Sequence, residues 1–288
     1  MNPVPEIRSL YHQSTHTWSH VAWEPGSLRA LIVDPVLDYD APSGRTGHDF
    51  LESLVGLVES ESLKVEWILE THAHADHLTA GARLKDRLGC QLAIGAGIRA
   101  VQSHFCNVFN LGDGFAADGS QFDRLFEDGD RFSLGGMEVR VMHTPGHTDD
   151  SVTYVLGDVA FIGDTLFTPE YGTARCDFPG GDARRLFRSI QQIFALGSAT
   201  RLFLCHDYPP EGRPPRPMVT VAEQRAANVH VRDGTSEDDF VEMRQRRDKS
   251  LAMPELILPS IQVNIRAGRF PDPEDNGVAY LKIPVDRM

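Results

Sequence analysis

The sequence predicts an α/β protein, and three observations carry that expectation. Short apolar runs recur at residues 28–33, 65–69, 138–142, 152–156 and 201–205, each the length of a buried strand. Helical periodicity with start and stop signals falls between and after them, most plainly over residues 182–196. Residues able to hold a metal stand just past the ends of the runs, where a sheet edge offers rigid support.

Taken in order, residues 28–33 read as a strand leading to Asp34-Pro35, and residues 50–58 as an amphipathic helix. The strand at 65–69 runs into Thr71-His72-Ala73-His74-Ala75-Asp76-His77, in which four of seven residues can ligate a metal. Alternate residues of extended backbone project to one side, so His72 and His74 face together. Residues 77–88 are expected to form a helix, with Gly81, Leu84 and Leu88 on one face and Gly89 as its stop. Asp76 and His77 at its start would turn back toward the same space. The stretch 101–130 is less regular and reads as a lid, an oligomer contact or a plain surface loop.

The strand at 138–142 meets His143-Thr144-Pro145-Gly146-His147-Thr148, where Pro and Gly force a tight turn and place His147 past a strand end. Residues 152–156 and 159–162 read as a hairpin across Gly157-Asp158 that ends in Gly163-Asp164. In residues 182–196, Asp182 is the N-cap, Leu186, Ile190 and Ile193 line one face, and Gly197 ends the helix. The buried strand at 201–205 stops at His206-Asp207-Tyr208. Residues 209–217 hold five prolines, exclude helix and central strand, and are expected to border the mouth of the site. Residues 221–228 and 239–249 suggest two polar-faced helices.

Composition narrows the function. The apolar fraction of 41% is sufficient for a core in a chain of 288 residues. The net charge of −13 argues against a protein that grips nucleic-acid phosphates. No stretch approaches ~18 consecutive apolar residues, so no membrane span is expected. The N-terminus has no charged-then-apolar leader, and Cys90, Cys106, Cys176 and Cys205 show no CxxC spacing. The expectation is a soluble cytoplasmic protein with reduced thiols, with residues 1–288 forming one domain extended from about 210.

Imidazoles with carboxylates suit zinc, iron or manganese, and spacing alone does not choose among them. Seven ligands with a bridging carboxylate would suit dizinc hydrolysis. Two His and one carboxylate on a single ion would suit Fe(II) working with O₂.

The His72–His77 segment, His147, Asp164 and His206, in that order and at those separations, resemble the metallo-β-lactamase superfamily over roughly residues 20–210. That resemblance implies a four-layer αβ/βα sandwich with the site at one edge of two sheets. In the full dinuclear pattern His72, His74 and His147 would hold one metal, and Asp76, His77 and His206 the other, with Asp164 bridging. By the same resemblance His143 is a structural residue of its turn.

The segment Tyr171-Gly172-Thr173-Ala174-Arg175-Cys176-Asp177-Phe178-Pro179-Gly180-Gly181-Asp182 looks like that of the persulfide dioxygenases (sulfur dioxygenases). His206-Asp207-Tyr208 and Pro259-Ser260-Ile261-Gln262-Val263-Asn264-Ile265-Arg266-Ala267-Gly268 extend this likeness along nearly the whole chain, most closely to a bacterial branch with an extended C-terminus. The resemblance implies one Fe(II) per chain held by His72, His147 and Asp164, with glutathione persulfide and O₂ as substrates and a homodimeric assembly. His74, Asp76, His77 and His206 would then orient ligands and water, with Asp76 and His206 nearest the chemistry. Arg175 matches the family arginine that meets the glutathione carboxylate, its alternative role being to pair with Asp177 or Asp182 after the turn, and Tyr208 and Arg266 are assigned to the same pocket. Some animal relatives carry a cysteine where this chain has Ala267, so no thiol role transfers there; Cys176 beside Arg175 is expected to be buried and inert. A zinc hydrolase of the hydroxyacylglutathione type is the rival, sharing fold, ligands and glutathione recognition.

Overall fold

The computed structural model describes residues 4–287. Twelve strands form two six-stranded sheets. The first contains β1 (Glu6–His12), β2 (Thr17–Trp23), β3 (Arg29–Val33), β4 (Lys64–Leu69), β5 (Gln91–Gly95) and β6 (Arg124–Phe126), in spatial order β1 to β6. The second contains β7 (Arg131–Leu134), β8 (Met137–His143), β9 (Val152–Leu156), β10 (Val159–Phe161), β11 (Arg201–Phe203) and β12 (Met218–Thr220), again in chain order. Strands β3 to β6 run parallel, whereas β7 to β10 form an antiparallel meander.

Strand alternation explains why the sheets stack. In β3, Leu31 and Val33 face one way and Ala30 and Ile32 the other, and all four are fully buried. Leu31, Val33, Leu69 and Phe126 meet Val139, Val141, Tyr154 and Phe161 of the second sheet to form the central core. The opposite face of the first sheet is covered by α1 (Asp49–Ser60), α2 (Gly81–Leu88), α3 (Ile98–Val108) and a C-terminal helix, Ile257–Asn264. The outer face of the second is covered by α4 (Ala183–Phe194), α5 (Val221–Ala227) and α6 (Glu237–Asp248). With Ile257–Asn264 as α7, the result is the four-layer αβ/βα sandwich. No helix among the described residues is long and apolar enough to cross a membrane.

Three expectations need correction. The helix after the His-rich segment starts at Gly81, not at His77, because Leu78–Thr79 pairs with Val36–Leu37 as a two-residue strand. Its C-cap Gly89 has φ 69°, the left-handed conformation that ends it. The stretch 101–130 is not all loop: most of α3 falls in it and buries Val101 and Phe105 against the first sheet, and β6 closes it. The last strand of the ligand series stops at Phe203, and residues 204–206 continue without ladder pairing apart from a bridge between Thr17 and His206.

Candidate metal centre

Seven side chains from four strand ends converge at one edge of the two sheets. His72, His147 and Asp164 form one group whose donor atoms lie within 4.8 Å of one another. His74, Asp76, His77 and His206 form a second group on the same criterion. Asp164 lies between the two: Oδ2 is 3.9 Å from His72 Nε2 and 3.7 Å from His147 Nε2, and Oδ1 is 3.5 Å from His206 Nε2. Asp76 Oδ2 approaches His206 Nε2 at 3.1 Å.

The ring nitrogen not aimed at the centre is in most cases tied down. His147 Nδ1 donates to the Arg175 carbonyl at 2.8 Å, leaving Nε2 as the ligand atom. His206 Nδ1 reaches the His16 carbonyl at 3.2 Å. His74 Nε2 donates to Asp34 Oδ1 at 3.1 Å, which leaves Nδ1 free. Thr71 gives its hydroxyl proton to Asp34 Oδ2 at 2.9 Å and so accepts from His72 Nδ1 at 3.1 Å. The atoms left over, His72 Nε2, His74 Nδ1, both His77 nitrogens, Asp164 Oδ1 and His206 Nε2, are buried without a hydrogen-bond partner. Buried polar atoms in that number are costly unless something binds them. This donor set fits a metal.

Electrostatics agree. Burial, reinforced by the neighbouring imidazoles, pushes His72 and His74 well below the usual histidine range, so both are neutral donors. Burial alone would raise Asp76, but His206 and His77 beside it hold it well below the usual carboxylate range. Burial raises Asp164, against the pull of His206 and His147.

The backbone around the ligands is clamped from several sides. Asp34 Oδ1 also accepts the Thr71 N–H at 2.7 Å, so one carboxylate at the end of β3 fixes the start of the ligand segment. Asp150 accepts the Ala73 N–H at 2.7 Å and joins that segment to the His147 turn. Asn264 on α7 donates to the His74 and His77 carbonyls, both at 2.8 Å, and accepts the Thr79 N–H at 2.9 Å. Gly146, at φ 137°, lets the His147 turn lie against α4, where a Cβ would sit 2.2 Å from the Leu186 nitrogen. Of these supports only Gly146 was singled out from sequence, as part of the tight turn that carries His147. Asp34 carried a usable signal, since it follows a strand as the ligands do.

A cavity of about 670 Å³ opens over the centre, and Asp76, His147 and Asp164 line its floor. Tyr208 lines it too, with its ring parallel to that of His206 and stacked on Tyr171 at 4.7 Å. Arg175 lines it as well, but its guanidinium is occupied: Nε and Nη2 grip the Asp177 carboxylate at 2.6 and 2.7 Å, and Nη1 donates to the Ala252 carbonyl at 2.6 Å. Arg266 is not brought to the cavity; it lies over the Phe115 ring and donates to the Gln262 carbonyl. The proline-rich loop is not at the mouth either, its Arg213 being paired with Asp207; the segment after α6, residues 251–256, borders the cavity instead. Cys176 is buried, and burial with the Asp248 charge pushes its thiol far up, so it stays protonated. His143 lies outside both donor groups and donates to the Asp149 carbonyl.

The metallo-beta-lactamase superfamily pattern matches residues 17–206, which span β2 through His206. The chain belongs to that superfamily. A probable metallo-hydrolase of Burkholderia pseudomallei is 52% identical over 98% of this chain and 99% of its own. A beta-lactamase hydrolase-like protein of Agrobacterium fabrum is 50% identical over 98% of this chain, which spans only 65% of that longer relative. Glyoxylase B2 of Dictyostelium discoideum is 46% identical over 99% of this chain and 96% of its own. More distant is the mitochondrial persulfide dioxygenase ETHE1 of mouse, 27% identical over 91% of this chain and 88% of its own. Among solved structures, ETHE1 from Myxococcus xanthus superposes with a TM-score of 0.73 at 27% identity, covering 92% of this chain and all of that one.

Proposed function

We propose that this superfamily member is an iron-dependent dioxygenase that converts glutathione persulfide and O₂ to sulfite and glutathione. The observation that carries the reading is the grouping of His72, His147 and Asp164, two imidazoles and one carboxylate within 4.8 Å. That set on one ion leaves coordination positions for both a sulfur ligand and O₂. The distant likeness to mouse persulfide dioxygenase and the structural likeness to Myxococcus xanthus ETHE1 point the same way.

Fe(II), when bound by those three residues, supplies the redox chemistry. The overall reaction joins one persulfide, one O₂ and one water to give one glutathione, one sulfite and two protons. The S–S bond breaks, and the electrons lost by the outer sulfur are those O₂ takes up. The protein's part is orientation and the exclusion of bulk water. Asp76, held ionised by His206 and His77, lies on the cavity floor where its carboxylate can accept a hydrogen bond from the incoming water and orient it. His206, its Nδ1 fixed by the His16 carbonyl, pairs with Asp76 and steadies that charge. The Tyr208–Tyr171 stack forms an apolar wall that keeps bulk water from the sulfur.

A dizinc thioester hydrolase of the hydroxyacylglutathione type is the second reading. It is favoured by the position of Asp164 between the two donor groups and by the name of the Dictyostelium relative. The deciding experiment is oxygen uptake on glutathione persulfide by anaerobically iron-loaded protein, with metal quantified on the same sample. Uptake in proportion to one iron per chain, with sulfite formed, is the expected result. No uptake, with two zinc ions and thioester cleavage, would move the chain to the hydrolases.

A further inference from the structure

Three guanidinium groups line the cavity, and they are not equivalent. Arg175 is gripped by Asp177 and the Ala252 carbonyl. Arg244 is fully buried, paired with Asp248 at 2.6 Å and donating to the Thr173 carbonyl at 3.0 Å. Arg247, one turn further along α6, is exposed and makes no side-chain ion pair or hydrogen bond with any other described residue. On the segment that follows, Glu255 is also exposed, also lines the cavity and is likewise unpartnered. The remaining carboxylates of the lining are engaged: Asp40 by Ser43, and Asp76 and Asp164 by the metal-centre histidines.

We infer that Arg247 and Glu255 form the outer recognition site of this cavity and bind the α-ammonium and α-carboxylate of an amino-acid end, as the γ-glutamyl residue of glutathione presents them. The inference rests on the proposed glutathione-borne substrate. Two opposite charges on one cavity lining that form no ion pair with each other complement a ligand that carries both charges on one carbon. Recruiting Arg175 would require breaking a bidentate carboxylate pair and a third hydrogen bond. Recruiting Arg247 and Glu255 displaces only water, which exposed side chains give up at small cost. Arg175 then acts as a brace, tying the 251–256 segment to the floor of the cavity through Ala252 and so placing Glu255.

The test is calorimetric binding of S-methylglutathione, an unreactive thioether, to iron-loaded holoprotein without oxygen. Arg247→Ala and Glu255→Ala should each weaken binding about tenfold, as expected for one charge-assisted hydrogen bond. Both positions are exposed, and melting temperatures should stay at the wild-type value. The N-acetyl derivative, which lacks the ammonium, should bind the wild type about tenfold more weakly than its parent but bind Glu255→Ala as its parent does. Wild-type affinity in Arg247→Ala, or an equal acetylation penalty in wild type and Glu255→Ala, would overturn the inference, as would absence of any S-methylglutathione binding. The outcome is separable from the reaction. A protein that consumes O₂ on persulfide but binds the thioether without these two residues keeps its proposed function and loses this site. One that depends on them yet cleaves thioesters does the reverse.

Discussion

Asp34→Asn isolates a single interaction that sequence inspection passes over. The carboxylate is 1% exposed and accepts three hydrogen bonds, from the Thr71 N–H and His74 Nε2 on Oδ1 and from the Thr71 hydroxyl on Oδ2. Asparagine is isosteric and tolerates the φ of 49° at this position, so the backbone has no reason to move. It keeps one oxygen, which can still serve the first two donors. The amide group then meets the Thr71 hydroxyl donor to donor, and the hydroxyl must rotate to accept from it. Thr71 then no longer donates to residue 34 but spends a lone pair on its amide, and the geometry in which it accepts from His72 Nδ1–H at 3.1 Å is disturbed. Loss of an outer partner of a ligand histidine costs about 10–100-fold in metal affinity, or roughly 1.4–2.8 kcal/mol. The assay is competition for the metal against a chelator of known affinity, with the melting temperature of the metal-free protein as the control for folding. Affinity within about twofold of wild type would refute the orienting role.

Other changes test other parts of the argument. Asp164→Ala removes the one carboxylate that faces both donor groups, and bound metal per chain and turnover should be lost together, as read by elemental analysis and activity on one preparation. Asn264→Ala strips three buried hydrogen bonds from the ligand segment and should lower stability by about 2–4 kcal/mol in a denaturant titration. His20 is buried between the sheets, and burial depresses its pKa from 6.5 to about 4. The unfolded chain therefore takes up a proton that the folded chain refuses, and stability falls as pH drops from 6.5 toward 4, by about 3 kcal/mol at the lower end. The difference in unfolding free energy between wild type and His20→Gln should narrow by that amount over the window, and a constant difference would contradict it.

What was legible in the sequence follows from how each residue does its work. His72, His74, Asp76 and His77 lie in one segment after one strand, and His147, Asp164 and His206 repeat the strand-end context, so chain order alone exposes them. The sandwich was legible through the resemblance that these seven carry. Their supports were not, because each acts across the fold: Asp34 on Thr71, Asp150 on Ala73, Asn264 on the two carbonyls of His74 and His77. The error over His77 has the same origin. Its helical periodicity was real from Gly81 onward, but Leu78 and Thr79 satisfied their backbone on Val36–Leu37, a partner some forty residues earlier.

Arg175 gives the sharper lesson about carrying a role by resemblance. An arginine two residues before an aspartate is placed to close on it, and here it does so, while its third contact reaches a segment that no local pattern could supply. The residue sits in the cavity, yet its donors are committed to holding the wall. Position in a motif identifies which residues surround a substrate. Which of them have donors to spare is decided by acidic neighbours such as Asp177 and Asp248, and that choice leaves Arg247 as the guanidinium on this rim with its charge unspent.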